Sequence, residues 1–525
     1  MRKKELDLVL TPEVAFDAEL LENEILKSAN LKPEDVQFIH RLKRSIDARG
    51  RQVVTKVRAD VYLDAPPADI LSPTYTYPDV TGKEQVIIVG AGPAGLFAAL
   101  RCIELGLKPV VLERGKDVRS RRRDLAAINK EQTVNPDSNY CFGEGGAGTY
   151  SDGKLYTRSK KRGDLTRILQ VLVQHGATSD ILFDAHPHIG TNKLPKIIET
   201  IRETIREAGG EVLFDKRVTE FILAGDVMRG VVTQDGQEYV GEAVILATGH
   251  SARDIFELLH KQHITIEAKP FAMGVRVEHQ QRLIDSIQYK CADRGPYLPA
   301  SSYALVHQTH YKNKQRGIFS FCMCPGGFIV PAATAPGEVV VNGMSPSRRD
   351  SRFSNSGIVV AVELEDMALT KYGPLAGLRM QQELEQKACM LAGGTQVAPA
   401  QLLQDFTKSK VGGTLLDTSY QPGLAPVDMN MLFSDEMAYR LREGFKAFGD
   451  KMRGYLTNEA QIVGVESRTS SPVRIPRDKE TLEHVQVKNL YPCGEGAGYA
   501  GGIVSAAMDG ERCAEKIAAN VKRVV

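Results

Sequence analysis

Gly90, Gly92 and Gly95 stand in the run Val86-Ile-Ile-Val-Gly-Ala-Gly-Pro-Ala-Gly95, and Glu113 follows about 20 residues on. Glycines at that spacing, between an apolar strand and an apolar helix, hold a dinucleotide. Gly90 makes the tight turn, Gly92 lets the backbone approach a pyrophosphate, and Gly95 lets the helix pack on the strand. The helix opens at Pro93 and Ala94, and the orphan amides of its first turn face the phosphates. Glu113 ends the next strand, where a carboxylate accepts from both hydroxyls of a ribose. This half-unit is common to NAD and FAD sites and does not choose between them.

Four further residues have types suited to chemistry: Cys322, Cys324, His250 and Arg468. In an extended strand Cys322 and Cys324 share one face, with Phe319, Phe321 and Met323 on the other, and their Cβ atoms stand roughly 6 to 7 Å apart. A disulfide needs about 3.8 Å, so a direct bond requires the strand to bend. Three readings stay open: structural thiols, a redox or substrate-contacting pair beside the cofactor, and zinc ligands shared with His307 and His310. The last is not adopted, because 309–315 reads as loop, and no metal site is assigned. His250 follows the small-residue strand end Ala247-Thr-Gly249 and is either a structural hydrogen-bonding group or a catalytic one. Arg468 can bind a substrate carboxylate bidentately or tie two domains together. No serine triad, Walker loop or paired-carboxylate signature is present.

The elements that must position these residues follow from periodicity. Residues 1–80 form a small α+β unit, with a strand at 5–10, a helix at 18–29 and strands at 38–46 and 53–63, closed by a proline-rich linker over 65–78. Its Arg41, Lys43, Arg44, Arg49 and Arg51 read as a solvated sheet face, with RNA contact as the alternative. The glycine unit is followed by Phe142-Gly-Glu-Gly-Gly-Ala-Gly-Thr-Tyr-Ser-Asp-Gly-Lys154, a helix over 193–208, short strands at 211–214, 217–223 and 230–233 and 238–240, and a buried strand over 242–249. Residues 265–480 are β-rich, with strands at 272–278 and 318–330 and a helix at 375–391. A strand over 487–495 and a helix entered at Gly501 close the chain. The domains expected are therefore 1–80, 81–264 with 481–525, and 265–480.

The net charge of +2 gives no field for nucleic acid or an anionic membrane. The longest uncharged apolar run, 86–100, is too short to span a bilayer. The basic N-terminus has no apolar segment behind it, and eight scattered cysteines make no disulfide framework. A cytoplasmic protein with a small-molecule substrate and no membrane partner is expected; its oligomeric state is not set by the sequence.

The glycine triplet with Glu113, the Ala247-Thr-Gly249 strand end, and Gly494-Glu-Gly with Gly501-Gly-Ile503 and Asp509-Gly510 resemble the FAD-dependent oxidoreductases of the glutathione-reductase-like superfamily. A closer resemblance, to the bacterial NAD(FAD)-utilising dehydrogenases, rests on Phe142 to Lys154 as quoted, His188-Ile-Gly-Thr191, Phe321-Cys-Met-Cys-Pro-Gly-Gly327, Arg468-Thr-Ser-Ser-Pro472 and Cys493-Gly-Glu-Gly-Ala-Gly-Tyr-Ala-Gly-Gly502. It covers nearly the whole chain. It implies an α/β fold: a Rossmann-like FAD domain built from discontinuous segments, a β-rich substrate or cap domain, and the small N-terminal domain. FAD would lie against Gly145, Gly146, Ala147, Gly148, Val218, Ala247, Thr248, Gly249, Gly494, Glu495, Gly501, Gly502 and Ile503 as well as the first unit. Glu495 stands where the superfamily more often has aspartate. The basic run 114–123 reads for most of its members as a solvated helix face, within which Arg114 and Arg121 would meet the FAD phosphates or adenine. No second complete nucleotide unit is visible, so NAD(P)H, if used, docks transiently. Hydride transfer between flavin N5 and an organic substrate is the expected reaction. A flavin monooxygenase, or an FAD protein whose N-terminal domain recognises RNA or a partner, are the alternatives.

Overall fold

The computed structural model describes residues 2–67, 70, 74–156 and 163–524; part of the expected proline-rich linker over 65–78 lies outside the described residues. At the N-terminus, helix Ala18–Ala29 is opened by Asp17, whose carboxylate accepts from the amides of Glu19 and Leu20, and is closed by Asn30 in a left-handed conformation. Its Leu21, Ile25 and Ala29 pack on Val57, Ala59 and Val61 of a three-stranded antiparallel sheet ordered Lys3–Leu10, Val54–Tyr62, Phe38–Asp47.

The basic face of this unit is not uniformly solvated. Arg44 is buried against the body of the protein, with Nε 2.7 Å from Asp184 and Nη2 3.1 Å from Asp180, and its guanidinium stacks on Phe16 and Phe183. Its amide and carbonyl also bond Phe183 and Ala185, so the edge strand docks as a strand would. Arg49 pairs with Asp47. The docking contact takes Arg44 out of any nucleic-acid surface.

A five-stranded parallel sheet follows, ordered Leu490–Pro492, Ala243–Leu246, Gln85–Val89, Lys108–Leu112, Glu211–Leu213. These strands are short apolar runs covered on both faces, as parallel strands require. The last strand of the chain inserts beside Ala243–Leu246, with Val244 opposite Leu490, so the sheet is completed from two distant segments. The expected strand over 487–495 shrinks to Leu490–Pro492, because the chain leaves the sheet at Cys493 to enter a glycine turn. Helix Pro93–Glu104 and the terminal helix Ile503–Val524 lie together on one face. A Cβ at Gly510 would stand 2.0 Å from the Ala94 carbonyl, so only glycine allows their contact.

The third unit is a seven-stranded sheet ordered Val306–Tyr311, Lys314–Cys324, Phe353–Val362, Phe271–Gln280, Gln461–Glu466, Ala398–Leu402, Leu424–Pro426. Its central strands are buried almost throughout, and helices Ala376–Leu391 and Asp435–Lys451 supply buried side chains to the same core. The chain enters this unit at Glu267–Ala268 and leaves it at Val473–Arg474, and these two crossings pair with each other. Residues 309–315, read as loop, are instead a hairpin turning at Lys312 and Asn313, both at positive φ. His307 and His310 therefore lie three apart on one strand, on opposite faces, and do not converge on the cysteines. The single stretch expected over 318–330 is cut by the Pro325-Gly326-Gly327 turn into Lys314–Cys324 and Phe328–Pro331. Among the described residues no helix is long and apolar enough to cross a membrane.

Candidate active site

The first glycine turn is built as its spacing predicts. Gly90 has φ 106°, and a Cβ there would stand 2.5 Å from the Ala247 carbonyl; at Gly95 it would stand 1.9 Å from the Gly90 carbonyl. Gly92 differs. Its φ is −78°, and the nearest atom to an added Cβ is 4.0 Å away, so the missing methyl opens space toward the cavity and not toward the protein. Glu113, expected to face a ribose, also holds the protein's own backbone. Its Oε2 accepts from the Ala91 amide and its Oε1 from those of Gly115 and Gly143, all at 2.9 Å. The carboxylate thus clamps the first glycine turn to the second, and of about four lone-pair sites one remains for a ligand.

A cavity of about 370 Å³ opens beside this turn. Gly90, Gly92, Pro93, Ala94, Glu113, Arg114, Gly146, Ala147, Gly148 and Val218 line it, as do Ala247, Thr248, Gly249, His250, Gly494, Glu495, Gly501, Gly502 and Ile503. An added Cβ at Gly249, Gly501 or Gly502 meets nothing within 4 Å, so the glycines at both turns leave an unfilled cradle. The amino end of helix Ile503–Val524 opens onto it. Behind the Gly494 turn, Asp509 accepts from the Gly494 amide at 2.8 Å and is held bidentately by Arg477. Glycine cradles, a carboxylate with one acceptor site left and two helix amino ends are groups that fit a dinucleotide flavin.

Three expected contacts are corrected. Gly95 lies behind the turn and is a packing glycine. Gly145 is outside the cavity too: a Cβ would stand 1.8 Å from Thr149 Oγ1, and its amide is spent on the Ala91 carbonyl. Arg121 is fully buried; Asp117 caps helix Val118–Glu131 and turns Arg121 inward, where it donates to the carbonyls of Asn139, Glu144 and Gly146 at 2.8 to 2.9 Å. It braces the glycine loop from beneath and reaches no phosphate. Arg114 does line the cavity, but Asp137 and Asp254 hold its edges and Phe142 covers one face at 4.2 Å.

The seven-stranded sheet supplies the opposite wall through Phe321, Cys322 and Cys324, and a separate two-stranded sheet, Phe328–Pro331 with Val341–Met344, adds Asn342 and Gly343. A β-bulge between Phe321 and Cys324 breaks the alternation expected of a regular strand, and Cys322 sits at φ 42°. Cys322 is accessible through the cavity although protein surrounds it; Cys324 is buried and donates to the Cys322 carbonyl at 3.2 Å. Arg276, fully buried, donates to that same carbonyl at 2.9 Å, with its Nε 3.2 Å from Glu466. Neither was legible beside the site, because Arg276 sits in Phe271–Gln280 and Glu466 in Gln461–Glu466, two central strands buried almost throughout that only the sheet brings together.

Burial pushes the Cys322 thiol up to about 12 and the Cys324 thiol up as well, so both are protonated at neutral pH. Iodoacetamide is expected to label Cys322 in flavin-free protein at least about 100-fold more slowly than free cysteine. Site-resolved mass spectrometry reads this rate, and labelling as fast as free cysteine would show a thiolate. Burial also pushes the Glu466 carboxyl up to about 7, against Arg276. Between the ordinary 4.5 and 7 the folded chain keeps a proton that the unfolded chain releases, so stability falls as pH rises through that window. Glu466→Gln should flatten the fall by up to about 1.4 kcal/mol per pH unit, measured as urea midpoints; a slope unchanged from the parent would place the titration elsewhere.

His250 and Glu495 face each other with Nε2 and Oε1 3.9 Å apart. Burial, with Arg468 and Lys269, pushes His250 down to about 4, and burial pushes Glu495 up to about 7. At neutral pH the histidine is uncharged and the carboxyl holds or releases a proton. The pair is therefore suited to proton transfer beside the cavity.

Arg468 is corrected as a substrate ligand. Its Nε and Nη2 bond Glu385 at 3.0 and 2.8 Å, Nη1 bonds Thr334 at 2.8 Å, and Nη2 lies 3.3 Å from Glu338. Arg253, from the helix after the parallel sheet, bonds the same two glutamates. The fork a substrate would need is already occupied.

Residues 85–126 match the FAD binding domain, and residues 270–469 match the family described as FAD-dependent protein, C-terminal domain-like. Residues 1–62 match a domain of unknown function, DUF8436. With the glycine cradle, these define an FAD-dependent oxidoreductase. An uncharacterized protein of Clostridium beijerinckii is 39% identical over 519 residues, covering 95% of this chain and 96% of that one. The chain belongs to the family of FAD-dependent proteins that it shares with this relative. Among solved structures it aligns with the flavin-dependent brominase Bmp2, at 13% identity over 84% of this chain and 79% of that one, TM-score 0.36. It also aligns with glycine oxidase of Bacillus cereus, at 13% identity over 83% and 96%, TM-score 0.31. Those TM-scores are too low to equate the folds.

Proposed function

We propose that the protein transfers hydride between FAD and a small organic substrate held between the parallel-sheet unit and the seven-stranded sheet, as a dehydrogenase or reductase of the glutathione-reductase-like kind. The observation that carries this reading is the single cavity lined on one side by the glycine cradles and on the other by the bulged strand at Cys322. Bound FAD supplies a two-electron acceptor or donor at flavin N5. The chain's own residues do the rest. Gly92 and Gly249, with no side chain in the way, would admit the cofactor against the main chain, the Gly494 turn would border it, and Glu113 keeps one acceptor site for the ribose. The amino end of the terminal helix favours negative charge near Gly501 and Gly502. Glu495 and His250 hold or move a proton at the carboxyl and at Nε2. Cys322 and Cys324, as neutral thiols, shape the substrate wall and keep water out.

NAD(P)H is proposed as a transient electron donor or acceptor, since the described residues form one such glycine-turn unit. The protein is proposed to act in the cytoplasm. Purified protein is expected to show oxidised-flavin absorbance that bleaches anaerobically with NADH or NADPH. A colourless protein that FAD cannot reconstitute would refute the reading, and oxygen consumption coupled to NAD(P)H oxidation with substrate hydroxylation would mark a monooxygenase instead.

A further inference from the structure

We propose that Lys154 makes an oxyanion-recognition point in this cavity, so that the substrate carries a carboxylate or a phosphate; this rests on the hydride-transfer reading above. Five cationic side chains line the cavity: Arg114, Lys154, Lys216, Arg217 and Arg468. Four of them face a carboxylate. Arg114 pairs with Asp137 and Asp254, Arg217 with Asp137, Lys216 with Asp235, and Arg468 with Glu385 and Glu338. Lys154 has no carboxylate within 4 Å among the described residues; its ammonium donates to the carbonyl of Met323, between the two wall cysteines.

Two of the three acids lining the cavity are matched, and the third, Glu495, is pushed up to about 7 by burial and faces His250. Asp152 is held by Arg349 at 2.5 and 3.2 Å, and Glu113 by three backbone amides. The groups around Lys154 add no compensating charge. Cys322 and Cys324 are thiols, and His188, whose strand bridge faces Lys154, is pushed down to about 4 by burial and by Arg349. Asn342 has its Oδ1 occupied by the Gly343 amide at 2.7 Å, which leaves its NH₂ to donate. Among the described residues Lys154 is therefore the cavity cation without a carboxylate partner, and protein walls surround it, so water screens its charge less than at the surface. A carbonyl acceptor leaves that charge standing, and an oxyanion removes it through a charge-assisted hydrogen bond.

The backbone at Lys154 is held for this task. The Leu155 amide bonds the Pro187 carbonyl at 2.9 Å, and the Ile189 amide bonds the Gly153 carbonyl at 3.1 Å. Lys154 is therefore presented from a fixed bridge and not from a free loop end.

The test uses the FAD-loaded protein, titrated with benzoate, phenyl phosphate and neutral benzamide while the flavin absorbance is followed. One of the anions is expected to bind at least about ten-fold more tightly than benzamide, and which anion does so separates a carboxylate from a phosphate. Lys154→Met should erase the preference and Lys154→Arg should keep it, both with the parent's flavin content. Equal binding of anion and amide, no anion binding, or a preference that survives Lys154→Met overturns the proposal. If Lys154→Met does not fold, the parent decides: anion binding that does not weaken from about 50 to about 500 mM salt overturns it too. These failures leave the flavin intact and reducible. A protein without reducible flavin would instead refute the hydride-transfer reading itself.

Discussion

Gly92→Ala yields a folded protein that has lost its flavin, with FAD affinity lowered at least about 100-fold, or about 2.7 kcal/mol. The size follows from where the added methyl goes. It meets no protein atom closer than 4.0 Å, and φ at −78° suits alanine, so neither sheet nor helix is disturbed. The methyl occupies the space through which a pyrophosphate must approach the backbone. Far-UV circular dichroism should match the parent while the ratio of flavin to protein absorbance falls to the apo value. Gly95→Ala makes the contrast. There the methyl lands 1.9 Å from the Gly90 carbonyl, so folding and flavin should be lost together. A Gly92→Ala protein purified with full flavin would show that the cofactor does not pass this turn.

Arg468→Met is expected to lower stability by about 3 to 5 kcal/mol. Glu385 is fully buried, and its carboxylate stays ionised, against the pull of burial, because Arg253 and Arg468 both bond it. Removing Arg468 leaves two buried glutamates with one arginine, and burying an unmatched carboxylate is far more unfavourable than losing an exposed pair. Arg468→Met combined with Glu385→Met should recover much of the loss, because a buried pair can be replaced by apolar side chains of similar size. Urea unfolding of the single and double variants reads both effects. If Arg468 instead served the substrate, the single variant would unfold like the parent and be altered only in turnover.

The glycine unit was legible because its roles are local. A turn at Gly90, an open approach at Gly92 and a packed helix at Gly95 depend on residues within one strand, turn and helix, and the structure realises all three. The same holds for helix 18–29, whose bounds follow from Asp17 and Asn30. Regular alternation misled at Cys322, since a bulge depends on the partner strand at Gly357 and Asn355 and not on the strand's own pattern. The loop expected at 309–315 failed for a different reason, since two residues at positive φ close a hairpin there without a glycine.

Charged residues were the least legible. Arg121, Arg44 and Arg468 look alike in sequence to arginines that bind anions, yet each is consumed by partners far along the chain: the carbonyls of 139–146, Asp180 and Asp184, and Glu385. Whether a charge is free depends on what folds against it.

By itself the sequence determined a dinucleotide site and the α/β frame, because both rest on short-range backbone geometry and apolar periodicity. Only the tertiary structure decided which charges remain for a substrate. Among the described residues, pairing across 19 to 140 positions of the chain neutralises every other cation of the cavity and leaves Lys154, and no spacing rule within one segment can report a balance struck between distant ones.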